Sequence, residues 1–183
     1  MGEGLAMDGL TADVHTVTVA FTDVVDSTQG SRQLGAAAWT DLIRWHDDTI
    51  GVATERHGGR VVKRLGDGAM LAFGDPREGL RATDQIRNSI GECPHWPGLP
   101  IRIGVHTGPV VALGDDLIGP GAGKASRITD LALPGQVLVS AETRRLADET
   151  AWFGPSATVE IRGLDGRHEL FPMLALHRPV PTG

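Results

Sequence analysis

Asp23 and Asp67 are the side chains of this 183-residue chain whose setting points most directly to chemistry. Each follows an apolar, strand-like run and meets a turn of small residues. Val14 to Thr22 (VHTVTVAFT) leads into Asp23, and Arg60 to Leu65 leads into Gly66-Asp67-Gly68 before Ala69 to Phe73 resumes the apolar pattern. If the two strands are neighbours near the centre of one sheet, the two carboxylates meet at its end. Like charges at close range repel, and one takes up a proton unless a cation lies between them. Hard oxygen donors of this kind suit Mg²⁺ or Mn²⁺. The competing reading is that each aspartate only serves its turn or caps a helix, and spacing alone leaves both open.

Several elements must position these groups. Asp26, Ser27 and Thr28 are good N-caps, and a broken apolar stripe through Leu34, Trp39, Leu42, Ile43, Trp45, Ile50 and Val52 ends near His57-Gly58-Gly59. A long helix jointed at Gly35 is therefore expected after the first strand. The runs around Gly66-Asp67-Gly68 predict a β-hairpin. Pro76 suits the first turn of a helix through Leu80, Ala82, Ile86 and Ile90, and the proline-rich stretch from Cys93 to Pro100 reads as loop. IRIGVHTGPVVAL is strand-like on both sides of Gly108-Pro109, where a turn or bulge is expected to break it. Ala122 to Leu133 is helix-compatible, Gln136 to Ser140 is a strand, and Ala141 to Leu146 is a short helix capped by Ser140. Ala157 to Ile161 and Leu170 to Leu174 alternate around a turn at Gly163 to Gly166. This order predicts one α+β domain, an antiparallel sheet with helices on one face, over residues 14–176, with flexible ends at 1–13 and 177–183.

Bulk properties narrow the function. With 40% hydrophobic and 22% charged residues the chain has the material for one sizeable core. A net charge of −6 and scattered Lys and Arg argue against a nucleic-acid or anionic-membrane surface. No apolar run reaches the roughly 18 residues a membrane helix needs, and the start lacks the signature of an export signal. The single cysteine, Cys93, cannot form an intrachain disulfide and reads as an incidental thiol near a surface loop, so the expected compartment is the cytoplasm.

Five strings carry a resemblance: Phe21-Thr22-Asp23-Val24-Val25-Asp26-Ser27-Thr28, Val62-Lys63-Arg64-Leu65-Gly66-Asp67-Gly68, Gly104-Val105-His106-Thr107-Gly108, Asp115-Asp116-Leu117-Ile118-Gly119-Pro120 and Lys124-Ala125-Ser126-Arg127. In this order, over about residues 14 to 175, they closely resemble the class III adenylate and guanylate cyclase catalytic domains. The resemblance implies a ferredoxin-like, palm-type sheet with flanking helices, the nucleotide cyclase fold. Asp23 and Asp67, with Val24 beside them, match the positions that bind two divalent ions, Mg²⁺ or Mn²⁺. Val24, Ser27 and Thr28 match the segment whose backbone amides meet the triphosphate, as helix N-termini can. Lys63 and Asp116 match the purine-reading pair, Arg127 the arginine on the phosphates, and Arg162 a position commonly held by a phosphate-contacting lysine. Lysine and aspartate complement the N1 acceptor and N6 donor of adenine, and guanine presents the reverse, so ATP is the expected substrate. The implied reaction is conversion of ATP to 3′,5′-cyclic AMP and pyrophosphate in a head-to-tail homodimer whose sites combine residues of both subunits.

One position departs from the family: Gly123 stands where an asparagine usually orients the ribose. Losing one such hydrogen bond typically costs about 10²- to 10³-fold in rate, so a slow enzyme is expected. Gly123 also favours an alternative, a cyclase-fold module that binds nucleotide without turnover, and guanylate cyclase is a third reading. The glycine-rich run Gly119 to Ser126 is not a Walker loop, because Ile118 replaces the first glycine and Ala125 the residue after lysine that must carry a hydroxyl. His106 lacks partners at metal spacing and reads as a satisfied interior or interface histidine. Trp39 and Trp45 read as core or dimer packing.

Overall fold

The computed structural model describes residues 13–177, so the expected flexible ends at 1–13 and 177–183 fall almost wholly outside the described residues. Its elements are β1 (Val14–Val24), α1 (Ser27–Leu34), α2 (Ala36–Arg56), β2 (Arg60–Arg64), β3 (Gly68–Phe73), α3 (Pro76–Gly91), β4 (Ile101–Leu113), β5 (Asp116–Ile118), α4 (Pro120–Leu131), β6 (Val137–Ser140), α5 (Ala141–Leu146), β7 (Ala151–Phe153), β8 (Ala157–Glu160) and β9 (Arg167–Leu176). The strands form one sheet in the order β2-β3-β1-β4-β6-β9-β7, with β5 paired to β4 and β8 to β9.

Local chemistry explains most boundaries. The expected joint at Gly35 is present, with φ 79° separating α1 from α2. Asp75 caps α3 by accepting from the Arg77 N–H at 2.8 Å, and Pro76 occupies the first turn, where its missing N–H is harmless. Ser140 caps α5 by accepting from the Thr143 N–H. All six residues of β3 are buried, as befits a strand paired on both sides.

The alternation along β1 divides the interior. Ala20 and Val24 face α2 and α3 and join Leu42, Ile50, Leu71, Phe73, Leu80 and Ile86 in the main core. Val19 faces the other way, with Met70 and Val110, onto Ala122 and Ala125 of α4. Val17, Phe21 and Val62 on that second face are only partly buried, so α4 leaves the β1-β3-β2 side of the sheet partly open.

Three expectations about the sheet change. It is mixed: β4 and β6 run parallel, the one parallel pairing among the described strands. Helices cover both faces, because α4 crosses the side opposite α2 and α3. Finally, β4 runs unbroken through Gly108-Pro109. Between Val105 and Val111 its only ladder is with β1, so the proline ring and missing N–H can face a side that lacks a partner strand. The short strands β5 and β7 were not expected at all. Cys93 is likewise corrected: it is fully buried in the main core rather than near the surface.

Candidate active site

Asp23 lies on the open, α4-facing side of β1, continuing the odd-numbered alternation of Val17, Val19 and Phe21. Its partner across the β1–β3 ladder is Gly68, and the Val24 N–H donates to the Asp67 carbonyl at 3.2 Å. Asp67 is thereby clamped to the end of β1. Only glycine permits this closure, since a β-carbon at Gly68 would lie 2.1 Å from the Thr22 carbonyl oxygen. The two aspartates line one cleft of about 620 Å³ together with Val24, Ser27, Thr28 and Arg102. The sequence placed five of these six residues in one site, and the structure brings all five together.

Arg102 is the residue the sequence reading missed. It is the ladder partner of Asp23 on β4, and its guanidinium donates to the Asp23 carboxylate at 2.7 Å and to the Asp130 carbonyl of α4 at 3.2 Å. A signal was available: Arg102 interrupts the apolar run Ile101-Arg102-Ile103 of a central strand, where an unpaired charge is costly.

Lys63 and Asp116 also meet. The Lys63 ammonium donates to Asp116 at 2.8 Å, joining edge strand β2 to the tip of β5 across 53 positions of chain. Asp116 also accepts from the Leu117 N–H at 2.7 Å. The hydrogen bond from Lys63, helped by that of Leu117, holds the Asp116 carboxyl below its ordinary value. Arg60 braces the same corner by donating to the Asp115 carbonyl.

Arg127 and Arg162 line a separate cavity of about 560 Å³ between α4 and the β8–β9 connection, beside Gly123 and Ser126. Arg127 is folded back, its Nη1 donating to the Gly123 carbonyl at 3.1 Å. No residue lines both this cavity and the aspartate cleft; Arg102, reaching from Asp23 to Asp130, stands between them.

Residues 11–174 match the model of the adenylate and guanylate cyclase catalytic domain. The chain belongs to this family. It is 30% identical over 136 residues to the uncharacterized protein Rv2212 of Mycobacterium tuberculosis, covering 74% of this chain and 35% of that protein. It is 27% identical over 154 residues to an adenylate cyclase of Glutamicibacter nicotianae, covering 84% of this chain and 38% of that one. This cyclase domain thus spans between a third and two fifths of the length of these relatives. Among solved structures, the guanylate cyclase domain of RhGC from Catenaria anguillulae, in complex with GTP, superposes with a TM-score of 0.80 at 23% identity, over 91% of this chain and 100% of that one. The adenylyl cyclase CyaB from P. aeruginosa gives 0.78 at 23% identity, over 93% and 100%. At such identities the superpositions establish the nucleotide cyclase fold.

The cyclase domain keeps other polar groups for itself. His106 shares a hydrogen bond with Ser140 Oγ at 2.9 Å and lies 3.7 Å from Glu142, which accepts from Lys124 at 2.6 Å. Thr18, Thr107, Thr143 and Ser140 continue the network in steps of 2.8 to 3.2 Å. Burial, reinforced by the Lys124 ammonium, pushes His106 down to about 4. Burial would raise the Glu142 carboxyl, but the hydrogen bond from Lys124, a backbone hydrogen bond and the attraction of the Lys124 charge together outweigh it and hold the group at about 2. His106 is the satisfied interior histidine the sequence suggested. Trp39 and Trp45 pack against the main core.

The residues around the aspartate cleft fit divalent cations. The carboxylates offer hard oxygens, Arg102 forms its ion pair with Asp23, and among the described residues the Asp67 carboxylate enters no ion pair.

Proposed function

We propose that this domain is an adenylate cyclase that converts ATP to 3′,5′-cyclic AMP and pyrophosphate. The observation that carries the reading is the convergence of Asp23 and Asp67 on one cleft at the start of α1. The choice of ATP draws its support from the Lys63–Asp116 pair on the same side of the sheet.

Asp23, Asp67 and the Val24 carbonyl would hold Mg²⁺ or Mn²⁺, two per site. When bound, such ions lower the proton affinity of the ribose 3′-hydroxyl and neutralise phosphate charge. The 3′-oxygen attacks the α-phosphorus, pyrophosphate leaves, and the hydroxyl proton passes to solvent. Amides at the start of α1, near Ser27 and Thr28, orient the terminal phosphates, and Arg102, already at the mouth of the cleft, adds positive charge there. Lys63 donates to adenine N1 and Asp116 accepts from N6. Arg127 and Arg162 stabilise charge on the transferring phosphates, for which Arg127 must leave the Gly123 carbonyl.

The complete site is formed in a head-to-tail homodimer, with the aspartates of one subunit facing the purine-reading and arginine residues of its partner. Support comes from the separation of the two cavities within one chain and from the partly open apolar face around Val17, Phe21 and Val62. The domain acts in the cytoplasm; no helix among the described residues is long and apolar enough to cross a membrane.

Gly123 favours a second reading, a module that binds nucleotide without turnover. One experiment separates these readings and guanylate cyclase: the purified protein is incubated with Mn²⁺ and either ATP or GTP, and cyclic product is quantified. Cyclic AMP from ATP is expected. Cyclic GMP alone would reassign the substrate, and nucleotide binding without either product would leave the module.

A further inference from the structure

Helix α1 is joined to its neighbours at two unusual points. It follows Asp26, a non-glycine residue in the left-handed region at φ 57°, and it precedes Gly35 at φ 79°. Neither junction carries the direction of an adjoining element into α1, so its placement depends on what it rests upon. Gly30, buried in the middle of α1, rests on an indole. A β-carbon there would lie 2.3 Å from Cζ3 and 2.9 Å from Cη2 of Trp96, with Trp39 Cζ3 at 3.2 Å. No such approach is possible for any residue with a side chain.

Trp96 belongs to the proline-rich loop between α3 and β4, and that loop is well tied. The Gly98 N–H donates to Gly91 at 2.9 Å, the Leu99 N–H to Trp96 at 3.0 Å, and the Val25 N–H to Pro100 at 2.7 Å. The loop therefore grips the phosphate-facing segment twice, with Pro100 holding Val25 and Trp96 seated under Gly30. We propose that Trp96, lodged in the notch left by Gly30, is the positioning residue that sets the height of α1, and with it the Ser27 and Thr28 amides, over the Asp23–Asp67 cleft. The proposal rests on the cyclase reading for its ligand, a metal-bound nucleoside triphosphate. An indole has few rotatable bonds and holds its contact at little entropic cost, which suits a fixed seat. Misplacing a binding group by about 1 Å can cost about 10²-fold.

The test uses Gly30→Ala, Trp96→Phe, Trp96→Leu and the double variant Gly30→Ala/Trp96→Leu. Calorimetry measures Mn²⁺-dependent binding of 3′-deoxy-ATP, which cannot cyclise, and amide hydrogen exchange follows residues 27–34 without nucleotide. Gly30→Ala should weaken binding by at least about tenfold and speed exchange in α1 while leaving β6 and β9 as protected as before. Trp96→Phe, which keeps a ring against Gly30, should stay near wild type, and the double variant should regain most of what Gly30→Ala loses. Wild-type binding and exchange in Gly30→Ala, or a double variant as poor as its two parents combined, would overturn the proposal. If the wild-type protein itself bound no 3′-deoxy-ATP, the cyclase reading would fall. Exchange in α1 would still judge the seat, and α1 protection unaltered by Gly30→Ala would remove Trp96 from that role.

Discussion

Around α5, the ionisable groups find their partners inside the chain: Lys124 meets Glu142, Glu142 approaches His106, and His106 meets Ser140. Around the Asp23–Asp67 cleft the accounts stay open, with Asp67 outside every described ion pair and Asp23 sharing its one guanidinium with Asp130. Both regions are rich in ionisable groups near the same strands, β1 and β4. The difference lies in who satisfies them. A closed network holds elements together, whereas groups left for an outside partner mark the place where a ligand supplies the missing charge.

Single and paired substitutions would break or sharpen this contrast. Asp67→Asn should reduce cyclic product by about 10³-fold or more while leaving thermal stability equal or higher, because it removes a charge the fold does not use. Loss of stability with activity retained would reverse the roles of the two regions. Asp23→Ala and Arg127→Ala should each be inactive alone, yet their mixture should recover about a quarter of wild-type activity, since half the dimers then carry one intact site. Silence in a mixture shown to contain heterodimers would place the whole site within one chain.

Next in size is Gly123→Asn. A β-carbon at Gly123 meets only Arg127 Nη1, at 3.1 Å, so the change should displace the parked guanidinium and raise turnover by about 10-fold or more. A drop in kcat would show that Arg127 needs that space. Lys63→Glu with Asp116→Cys should move the ratio of ATP to GTP use by about tenfold, and an unchanged ratio would remove this pair from purine reading.

Activity should respond least to the α5 network, whose signature is stability. Glu142→Gln leaves the largely buried Lys124 ammonium without its counter-charge; because Glu142 itself is partly exposed, the cost in denaturant unfolding should be about 1 kcal/mol. For His106, the folded value near 4 lies below the ordinary 6.5, so the unfolded chain takes up the proton first as pH falls. Its contribution is complete above about pH 6.5 and is lost as pH drops toward 4. Glu142 has the same sign at lower pH, contributing above its ordinary 4.5 and fading as pH falls through about 2. Thermal melts should therefore decline from neutral pH downward, and His106→Gln should flatten the part between pH 6.5 and 4.

Much of the fold was legible because local chemistry dictated it. The β2–β3 hairpin with Asp67 at its turn, the Gly35 joint, the start of α3 at Pro76 and the Ser140 cap each followed from neighbouring residues. The misses share another cause. The run through Gly108-Pro109 reads as a break until one knows that β4 has an unpaired side there. The three-residue strands β5 and β7 are too short to show a period, and the placement of α4 opposite α2 and α3 depends on packing.

By itself the sequence determined which side chains carry the charges, which turns present them, and which family their order resembles, because those features are written within a few neighbouring positions. The tertiary structure alone decided the pairings. Arg102 faces Asp23 through strand register, Lys63 reaches Asp116 across the bent β4–β5 tip, and Trp96 seats α1 through a glycine far from it in the chain. Such contacts depend on register and close packing between distant segments, which no local pattern encodes.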